Sequence, residues 1–573
     1  MYYKFKKLFS IAAVLFILLI VVPGSFAISD EYFNDTMAVE AQDVESFSIE
    51  DSVPLTSDYY FNASNDENGD GSEENPYSQL TTKRMVDDSV IHLANGEYNL
   101  TKGKTLDNVT IIGQDVEKTI LRYTGTSFGK FTSYNYVTLR NLTVIGFQFD
   151  LDGADLDACN TIFKDCVAPE EMTSRSTLVN VAPNSFGGAV CAYSNDYYTP
   201  NVFIDNCTFI NNTAQYGGAL HITDGVLQIS NTLFIDNHAD IYGGSLAGLY
   251  DSRITLSNVE FLNSRAIRFD GGAIYLLKSY LYGNEIVIEN SSASSFGGAI
   301  ASLNSTVELT CLNASNNFAK YDGGAIYQMY NSISLDESNL INNSARNGGA
   351  IFVDDVYLEL VNNNFIDNYA SISGNAVYSL LAHSTVNQNN RYMRNKTGHD
   401  EDFYECSELN LNIGNGNYTI YLNNSTFDGV LPSRYSLIDE NAVTPIRDQQ
   451  DGGNCWAFGA IAALESAILK ASGESLDLSE GNMKNLIQMF SDYGWNYETN
   501  DGGCDEMAFA YLVSWLGPVY ESMDEYDDYN MLSPLLDSIA HVQNFIYLKR
   551  DSFTDNDAIK EAIMKYGAVA TGL

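Results

Sequence analysis

The stretch Gly271-Gly272-Ala273-Ile274-Tyr275 is one copy of a motif that recurs through the middle of the chain. Its glycine pairs are 25 to 30 residues apart and begin at Gly187, Gly217, Gly243, Gly271, Gly297, Gly323 and Gly348. A second series has a similar spacing, at Phe209, Phe234, Phe261, Ile288, Ala314, Leu340 and Phe365. Three residues after five of these stands an asparagine: Asn212, Asn237, Asn317, Asn343 and Asn368. Two independent series with one period predict a solenoid.

The repeats contain short segments in which apolar and polar residues alternate, such as Val356-Tyr357-Leu358-Glu359-Leu360. Glycine, asparagine, aspartate and serine bound these segments, and none has the spacing of an amphipathic helix. One repeat is long enough for a coil of three short strands and three turns. We therefore expect stacked Phe, Ile and Leu side chains to form a continuous core. We also expect asparagines to form hydrogen-bonded ladders, and the glycine pair to turn a corner where no Cβ fits.

This pattern resembles the right-handed parallel β-helix of secreted surface proteins and polysaccharide-processing enzymes. In particular, it is similar to the Gly-Gly-Ala repeat of polymorphic surface proteins and archaeal adhesin-like proteins. The resemblance implies an all-β solenoid, a right-handed parallel β-helix, over residues 58–405, with a cap or linker over 406–430. It also implies that the β-helix binds a cell-envelope, host-surface or glycan partner.

Length and composition limit the classes of protein that remain. A chain of 573 residues is too long for one core, so we expect at least two domains. Its 30 basic and 74 acidic residues give a net charge of −44, which phosphate backbones would repel, so no nucleic-acid partner is expected. The cysteines of the repeats have no zinc-binding spacing, and His221, His238 and His383 each stand alone. We therefore expect neither a metal nor a cofactor.

The N-terminus has the pattern of a secretory signal. Lys4, Lys6 and Lys7 precede an apolar run that Pro23-Gly24 ends, and Ser25 and Ala27 supply the small residues of a cleavage site. These features predict a signal peptide over residues 1–27. An N-terminal membrane anchor is the alternative. Residues 28–57 carry acidic side chains and no basic ones, which predicts an extended, solvated linker. We therefore expect a secreted, extracellular protein at the cell surface.

A different pattern begins after residue 430. Gln449 stands six residues before Cys455, and a helical pattern follows the cysteine as far as Gly473. Cys455 is therefore expected at a helix N-terminus, where unpaired N–H groups and the helix dipole favour a thiolate over a thiol. Through the loop between them, the Gln449 side-chain amide can join the Cys455 backbone N–H in binding an oxyanion. Trp456 is expected to wall this site.

These residues closely resemble the active-site segment of papain-like (C1) cysteine peptidases. The spacing from Gln449 to Cys455 and the Cys-Trp-Ala-Phe string match that family, and Leu478-Ser479-Glu480 and Gly502-Gly503 follow in its order. The resemblance covers residues 431–573 and implies the N-terminal, mainly helical half of a papain-like α+β domain. It implies Cys455 as nucleophile and Gln449 in the oxyanion hole. Gly502, Gly503 and Trp456 would line the substrate cleft.

Two departures from the family pattern bear on activity. Gly452 stands where the family usually carries a cysteine, so one structural disulfide is absent and Cys504 lacks that partner. The family histidine lies about 130–150 residues after the cysteine, whereas 118 residues follow Cys455, and His541 has the wrong context. We expect a C-terminally truncated domain whose histidine and asparagine lie beyond residue 573. A degenerate, inactive domain is the alternative, so enzymatic activity stays open at this point.

The combined prediction is a cysteine peptidase on a β-helical stalk that cleaves polypeptides through a Cys455 thioester. One alternative is a non-enzymatic surface adhesin with an inactive peptidase-like domain. A weaker alternative is a carbohydrate-active β-helix, which needs clustered carboxylates. Acidic residues do fall near the repeat corners, where we expect them to be solvated: Asp270, Asp322, Asp354 and Asp355.

Overall fold

The computed structural model describes residues 57–168, 185–195, 197–380, 382–396, 402–406, 431–488, 502–542 and 556–570, together with 495, 497, 545 and 548. The predicted signal peptide, the acidic linker before residue 57 and the predicted cap or linker after residue 406 lie outside the described residues. Leu55–Leu573 form one compact unit.

The first part of this unit consists of 37 described strands, β1 to β37 in chain order. The strands β1 to β10 are Ser57–Phe61, Ser89–Leu93, Gly96–Leu100, Lys104–Thr105, Val109–Gly113, Thr119–Tyr123, Gly129–Ser133, Tyr136–Ile145, Phe147–Asp152 and Asp155–Lys164. The strands β11 to β23 are Val190–Tyr193, Asn201–Asp205, Thr208–Ile210, Thr213–Tyr216, Leu220–Thr223, Val226–Ile235, His238–Tyr242, Leu246–Leu249, Arg253–Leu262, Arg265–Ala266, Ile274–Leu277, Tyr280–Glu289 and Ser292–Ala293. The strands β24 to β37 are Ile300–Thr310, Asn313–Ser315, Phe318–Ala319, Ile326–Asp336, Asn339–Ile341, Ser344–Asn347, Ile351–Asp354, Tyr357–Val361, Asn364–Ile366, Tyr369–Ser373, Val377–Leu380, Ser384–Gln388, Arg391–Met393 and Phe403–Cys406.

These strands form a parallel β-helix of about 11 turns over residues 96–405, as the sequence predicts. Each coil pairs in parallel with the coils on either side of it. The period of the sequence is also the register of the sheet, because residues one repeat apart are direct neighbours. Phe209, Phe234 and Phe261 follow one another in register, and their rings stack at 4.7 and 4.6 Å between centroids. The predicted core series is therefore confirmed.

The predicted asparagine ladder is also confirmed. The Asn212 side-chain amide donates to Asn237 Oδ1 at 2.9 Å, and those of Asn317 and Asn343 donate to the next asparagine at 3.0 Å. All these side chains are buried. Because a buried amide without a partner costs free energy, the ladder stabilises the stack by satisfying each member from the next coil.

The glycine pairs turn a corner of each coil. Gly271, for example, has a φ of +69°, which favours glycine over any residue with a side chain. A Cβ on Gly272 would overlap the carbonyl oxygen of Gly298 in the next coil. The coils therefore approach one another so closely at this corner that a side chain cannot fit.

One outer face of the β-helix is apolar and buried. Ile274 and Leu276 point into the β-helix core, whereas Tyr275 and Leu277 belong to a second apolar cluster on the opposite side of the same strand. We call this outer surface the docking face; it comprises Leu249, Tyr275, Leu277, Leu303, Tyr327 and Phe352. Met531 and Leu532, from the C-terminal part of the chain, belong to the same cluster.

The expectation that the corner acids are solvated is wrong for two of them. Asp270 and Asp322 are 1% and 4% exposed. In a solenoid, a corner side chain is covered by the coils above and below it and by whatever packs on the outer face. Asp270 accepts a hydrogen bond from the backbone N–H of Phe296 at 3.1 Å, and burial raises its pKa to about 8. Asp354 and Asp355 are partly exposed.

The described residues after 430 form a helical module. Its helices are α1 (Cys455–Ser472), α2 (Glu480–Ile487), α3 (Asp505–Val513) and α4 (Asp557–Tyr566), and a 3-10 turn covers Glu521–Met523. Gly473 ends α1 in the left-handed conformation, and Ser479 caps α2 by accepting from the Asn482 backbone N–H at 2.9 Å. Buried apolar residues of α1, α2 and α3 form the core of this module.

Candidate active site

The Cys455 thiol lies at the N-terminal end of α1 and is exposed. Cys455 is the first residue of the helix, and Asn454 closes the first turn by accepting from the N–H groups of Ala457 and Phe458 at 3.0 and 3.2 Å. The sulfur is therefore next to the unpaired N–H groups of a helix of 18 residues. Unpaired N–H groups at this end of a helix can donate to an anion that forms beside them.

Gln449 begins the loop that leads into α1, which we call the Gln449 loop (residues 449–454). Its side-chain Nε2 donates to the carbonyl oxygen of Gly452 at 3.0 Å. An amide nitrogen carries two N–H groups, so this bond orients the side chain and leaves one N–H for a ligand.

Tyr526 holds the Gln449 loop in place. Its hydroxyl donates to the carbonyl oxygen of Gln449 at 2.8 Å and accepts from the Asn454 side-chain amide at 3.0 Å. Its ring packs edge-on against Phe458 at 4.8 Å. Burial raises the pKa of Tyr526, so the hydroxyl keeps its proton. The sequence does not indicate this role, because neither the spacing nor the context of Tyr526 predicts a contact with a loop 77 residues earlier.

Trp456, which follows Cys455 in α1, packs against Gly503. Trp456 is 6% exposed, and a Cβ on Gly503 would overlap its indole ring. Gly502 has a φ of +81°, so glycine is favoured there too. The structure thus brings Gly503 against the residue that follows Cys455, and the role of these residues in a substrate cleft stays a prediction.

Buried carboxyl groups surround the start of α2. Glu465 of α1 accepts from the Leu478 backbone N–H at 2.8 Å, which fixes the chain just before α2. Burial raises the pKa of Glu480 to about 8 and that of Glu521 to about 7. Glu521 also accepts from the backbone N–H of Tyr526 at 2.8 Å, so it helps to position that residue.

Four of the described histidines occupy packing or surface positions. His541 stacks on Trp515 at 4.3 Å between ring centroids, close to the end of α3. In the β-helix, His221 is buried, and this burial lowers its pKa to about 3. His238 is within hydrogen-bonding distance of Thr213 at 3.1 Å, and His383 pairs with Asp355 at 2.5 Å. Over the described part of the chain, no three His, Cys, Asp or Glu side chains are grouped so as to hold a metal ion.

Comparison with known proteins agrees with this geometry. Residues 431–573 match the papain family cysteine protease model, and residues 206–223 match the Chlamydia polymorphic membrane protein repeat. Pro-cathepsin H of Mus musculus is 31% identical over 133 residues, which are 23% of this chain and 37% of that protein. Peptidase 1 of Dermatophagoides pteronyssinus is 28% identical over 179 residues, which are 31% of this chain and 49% of that protein.

Among solved structures, the A-module of the mannuronan C-5 epimerase AlgE4 of Azotobacter vinelandii covers 55% of this chain and 91% of its own, at 11% identity and a TM-score of 0.23. That score is too low for the match to support any conclusion. The chain thus consists of a β-helix followed by a module that resembles the papain family. Residues 431–573 form a papain-family domain, and the chain spans less than half the length of the two curated relatives described above.

Proposed function

We propose that this protein is a secreted or cell-surface cysteine peptidase, carried on a β-helical stalk, that cleaves peptide bonds through a thioester at Cys455. The observation that carries this proposal is the exposed Cys455 thiol at the first position of an 18-residue helix. The surrounding Gln449 loop and Trp456–Gly503 wall support it. The proposal of secretion rests on the signal-peptide pattern over residues 1–27 and on the surface-protein repeat.

The proposed reaction is acyl transfer from a peptide amide to the cysteine. The Cys455 thiolate forms a C–S bond to the substrate carbonyl carbon, and its oxygen becomes an oxyanion. The free N–H of the Gln449 amide and the Cys455 backbone N–H bind this oxyanion. The C–N bond then breaks as an imidazolium gives its proton to the leaving amine. Water then attacks the thioester while the neutral imidazole takes one of its protons, which breaks the C–S bond, releases the acid and restores the thiolate and the imidazolium.

The base and the residue that orients it come from outside the described residues in this proposal. We assign these roles to a histidine and an asparagine beyond residue 573, as the family pattern implies. Trp456 and Gly503 would form one wall of the cleft for a polypeptide substrate, and Gly502 would line the cleft beside them.

A peptidyl epoxide probe on the full-length protein tests this proposal. We expect labelling of Cys455 and none of its Cys455→Ser variant. Cys504 is the matched internal control, because burial raises the pKa of its thiol. Labelling of Cys504 and not of Cys455, or no labelling of a folded module, would contradict the proposal and favour the adhesin with an inactive domain.

The carbohydrate-active β-helix has weaker support. Two of the four candidate carboxylates, Asp270 and Asp322, are buried and so cannot reach a polymeric glycan. Depolymerisation of an acidic polysaccharide by the Cys455→Ser variant would nevertheless establish that activity.

A further inference from the structure

The segment Met523–Leu532, which we call the docking segment, joins the helical module to the β-helix. Tyr242 of β17 donates its hydroxyl proton to the carbonyl oxygen of Tyr529 at 2.8 Å. The Arg268 guanidinium, which pairs with Asp240 in the β-helix at 2.9 Å, also pairs with Asp527 at 3.1 Å. The β-helix therefore contributes directed polar contacts, and not only a covalent connection.

The end of the docking segment is apolar and lies on the docking face. Met531 and Leu532 are 6% and 3% exposed and pack with the aromatic and aliphatic side chains of the docking face. At the opposite end of the docking segment, the Tyr321 hydroxyl donates to the carbonyl oxygen of Met523 at 3.4 Å. Both ends of the docking segment thus contact the β-helix.

Alternate residues of the docking segment contact two different parts of the protein, the β-helix and the Gln449 loop. Asp527 and Tyr529 contact the β-helix, whereas Tyr526 and Asp528 contact the Gln449 loop. The Tyr526 hydroxyl bonds to the Gln449 carbonyl oxygen, and the backbone of Asp451 hydrogen-bonds to the Asp528 carboxyl. Asp528 and Tyr529 lie in a turn, in which the Asn530 N–H donates to the Asp527 carbonyl oxygen at 3.3 Å. Because the chain reverses direction here, neighbouring residues face different surfaces and one segment contacts both.

The contacts with Tyr526 and Asp528 restrict the conformation of the Gln449 loop. Gly452 and Gly453 give its backbone more freedom than any other residues would. Gly452 also stands where the papain-like pattern has a disulfide cysteine, so that covalent tie is absent. On the module side, the buried Lys484 ammonium donates to the carbonyl oxygens of Asp527 and Asn530 at 2.9 and 2.6 Å and keeps the docking segment against α2.

We propose that the β-helix is a positioning element of the peptidase: Tyr242 and Arg268 hold the docking segment, which in turn holds the Gln449 loop in the geometry that binds the oxyanion. The effect on catalysis in this proposal rests on the proposed peptidase function. Tyr242 and Arg268 are positioning residues, because they act through Tyr526 and Asp528. The β-helix then supplies part of the active-site geometry in addition to presenting the module.

Two reactions of Cys455 separate this role from general folding. Alkylation by iodoacetamide needs the thiolate but no oxyanion hole, whereas amide hydrolysis needs both. A displacement of about 1 Å in a catalytic group can lower a rate by about 100-fold. Loss of docking should therefore lower kcat for a peptide amide and leave the alkylation rate of Cys455 unchanged.

The experiment compares two interface variants of the full-length protein with two surface controls. Tyr242→Phe removes one hydroxyl and keeps the ring, and Arg268→Gln removes the charge that pairs with Asp527. The controls are Tyr357→Phe and Arg253→Gln, because these side chains are exposed on the β-helix. We expect kcat to fall by about 10- to 100-fold in the two interface variants and not in the controls. KM and the alkylation rate of Cys455 should stay within about 2-fold of the wild-type values. Arg268→Lys should recover part of the loss.

Hydrogen–deuterium exchange of the Gln449 loop gives a second readout that does not require activity. We expect faster exchange of residues 449–454 in both interface variants, and unchanged exchange in β21, β24 and the controls. Unchanged kcat and unchanged loop exchange would overturn the proposal. If the wild-type protein neither hydrolyses amides nor reacts preferentially at Cys455, the proposed function fails. Loop exchange then still decides whether the β-helix positions the Gln449 loop.

Discussion

The buried asparagine ladder allows a quantitative test of the β-helix at Asn343. Its side chain donates to Ala314 O and Asn368 Oδ1 and accepts from both the backbone and the side-chain N–H of Asn317, all at 3.0 Å. Asn343→Ala removes these four hydrogen bonds. The Asn317 side chain keeps its bond to the Ile288 carbonyl oxygen, but its backbone N–H loses the partner that the structure provides.

The expected cost follows from burial. A buried polar group without a partner costs about 1–3 kcal/mol, and each net hydrogen bond contributes about 0.5–1.5 kcal/mol. We therefore expect Asn343→Ala to lower the free energy of unfolding by about 3–4 kcal/mol. Because each coil contacts only its neighbours, the effect should be concentrated in the coils that carry Asn317 and Asn368.

The matched control is Asn339→Ala, four residues earlier. The Asn339 side chain donates to Asn313 at 2.8 Å and accepts from Asn364 at 2.9 Å at a partly exposed position, where water can replace the lost partners. We expect Asn339→Ala to lower the free energy of unfolding by less than about 1 kcal/mol. Urea unfolding followed by circular dichroism measures both variants, and hydrogen exchange in β25, β28 and β32 localises the effect. Equal costs for the two variants would refute the argument that burial makes the ladder stabilising.

Three further predictions concern the active-site loop, the corners of the β-helix and the pH dependence of the helical module. Tyr526→Phe removes two hydrogen bonds to the Gln449 loop and should lower the rate of amide hydrolysis about 10-fold, without changing the alkylation rate of Cys455. The control Tyr520→Phe, at an exposed ring, should change neither rate. Gly272→Ala places a Cβ against the next coil and should lower the free energy of unfolding in urea by about 1–3 kcal/mol. A variant as stable as the wild type would contradict the close approach of the coils at this corner. Burial raises the pKa of Glu480 from its ordinary 4.5 to about 8, so ionisation opposes the folded state and stability should fall as the pH rises through this interval. Glu480→Gln should reduce that fall between pH 5 and about 8 in thermal unfolding, and an unchanged slope would show that other groups cause it.

The β-helix could be predicted from sequence because its contacts repeat. Phe234 packs on the residues one period before and after it, so a periodic sequence and a periodic structure carry the same information. The start of α1 at Cys455 and its end at Gly473 were also predictable, since capping and turn preferences are local. The papain-family domain was identifiable from one short motif with specific spacing.

The burial of Asp270 and Asp322 could not be predicted in this way. Acidic residues at turns are usually solvated, and the sequence around them does not show what covers them. The same limit applies to Tyr526, whose hydroxyl orients a loop that is distant along the chain. In both cases the decisive neighbours belong to other coils or other elements.

Local preferences and contacts that recur with one period specify the coil, its repeat, its ladders and the position of the candidate nucleophile, so these features can be predicted without coordinates. The contacts of the docking segment with the β-helix and with the Gln449 loop follow only from how the chain packs in three dimensions. Arg268 and Asp527 are 259 residues apart and belong to no common motif. Their pairing depends on how two separately encoded folds pack, and burial of Met531 and Leu532 against the docking face stabilises that packing.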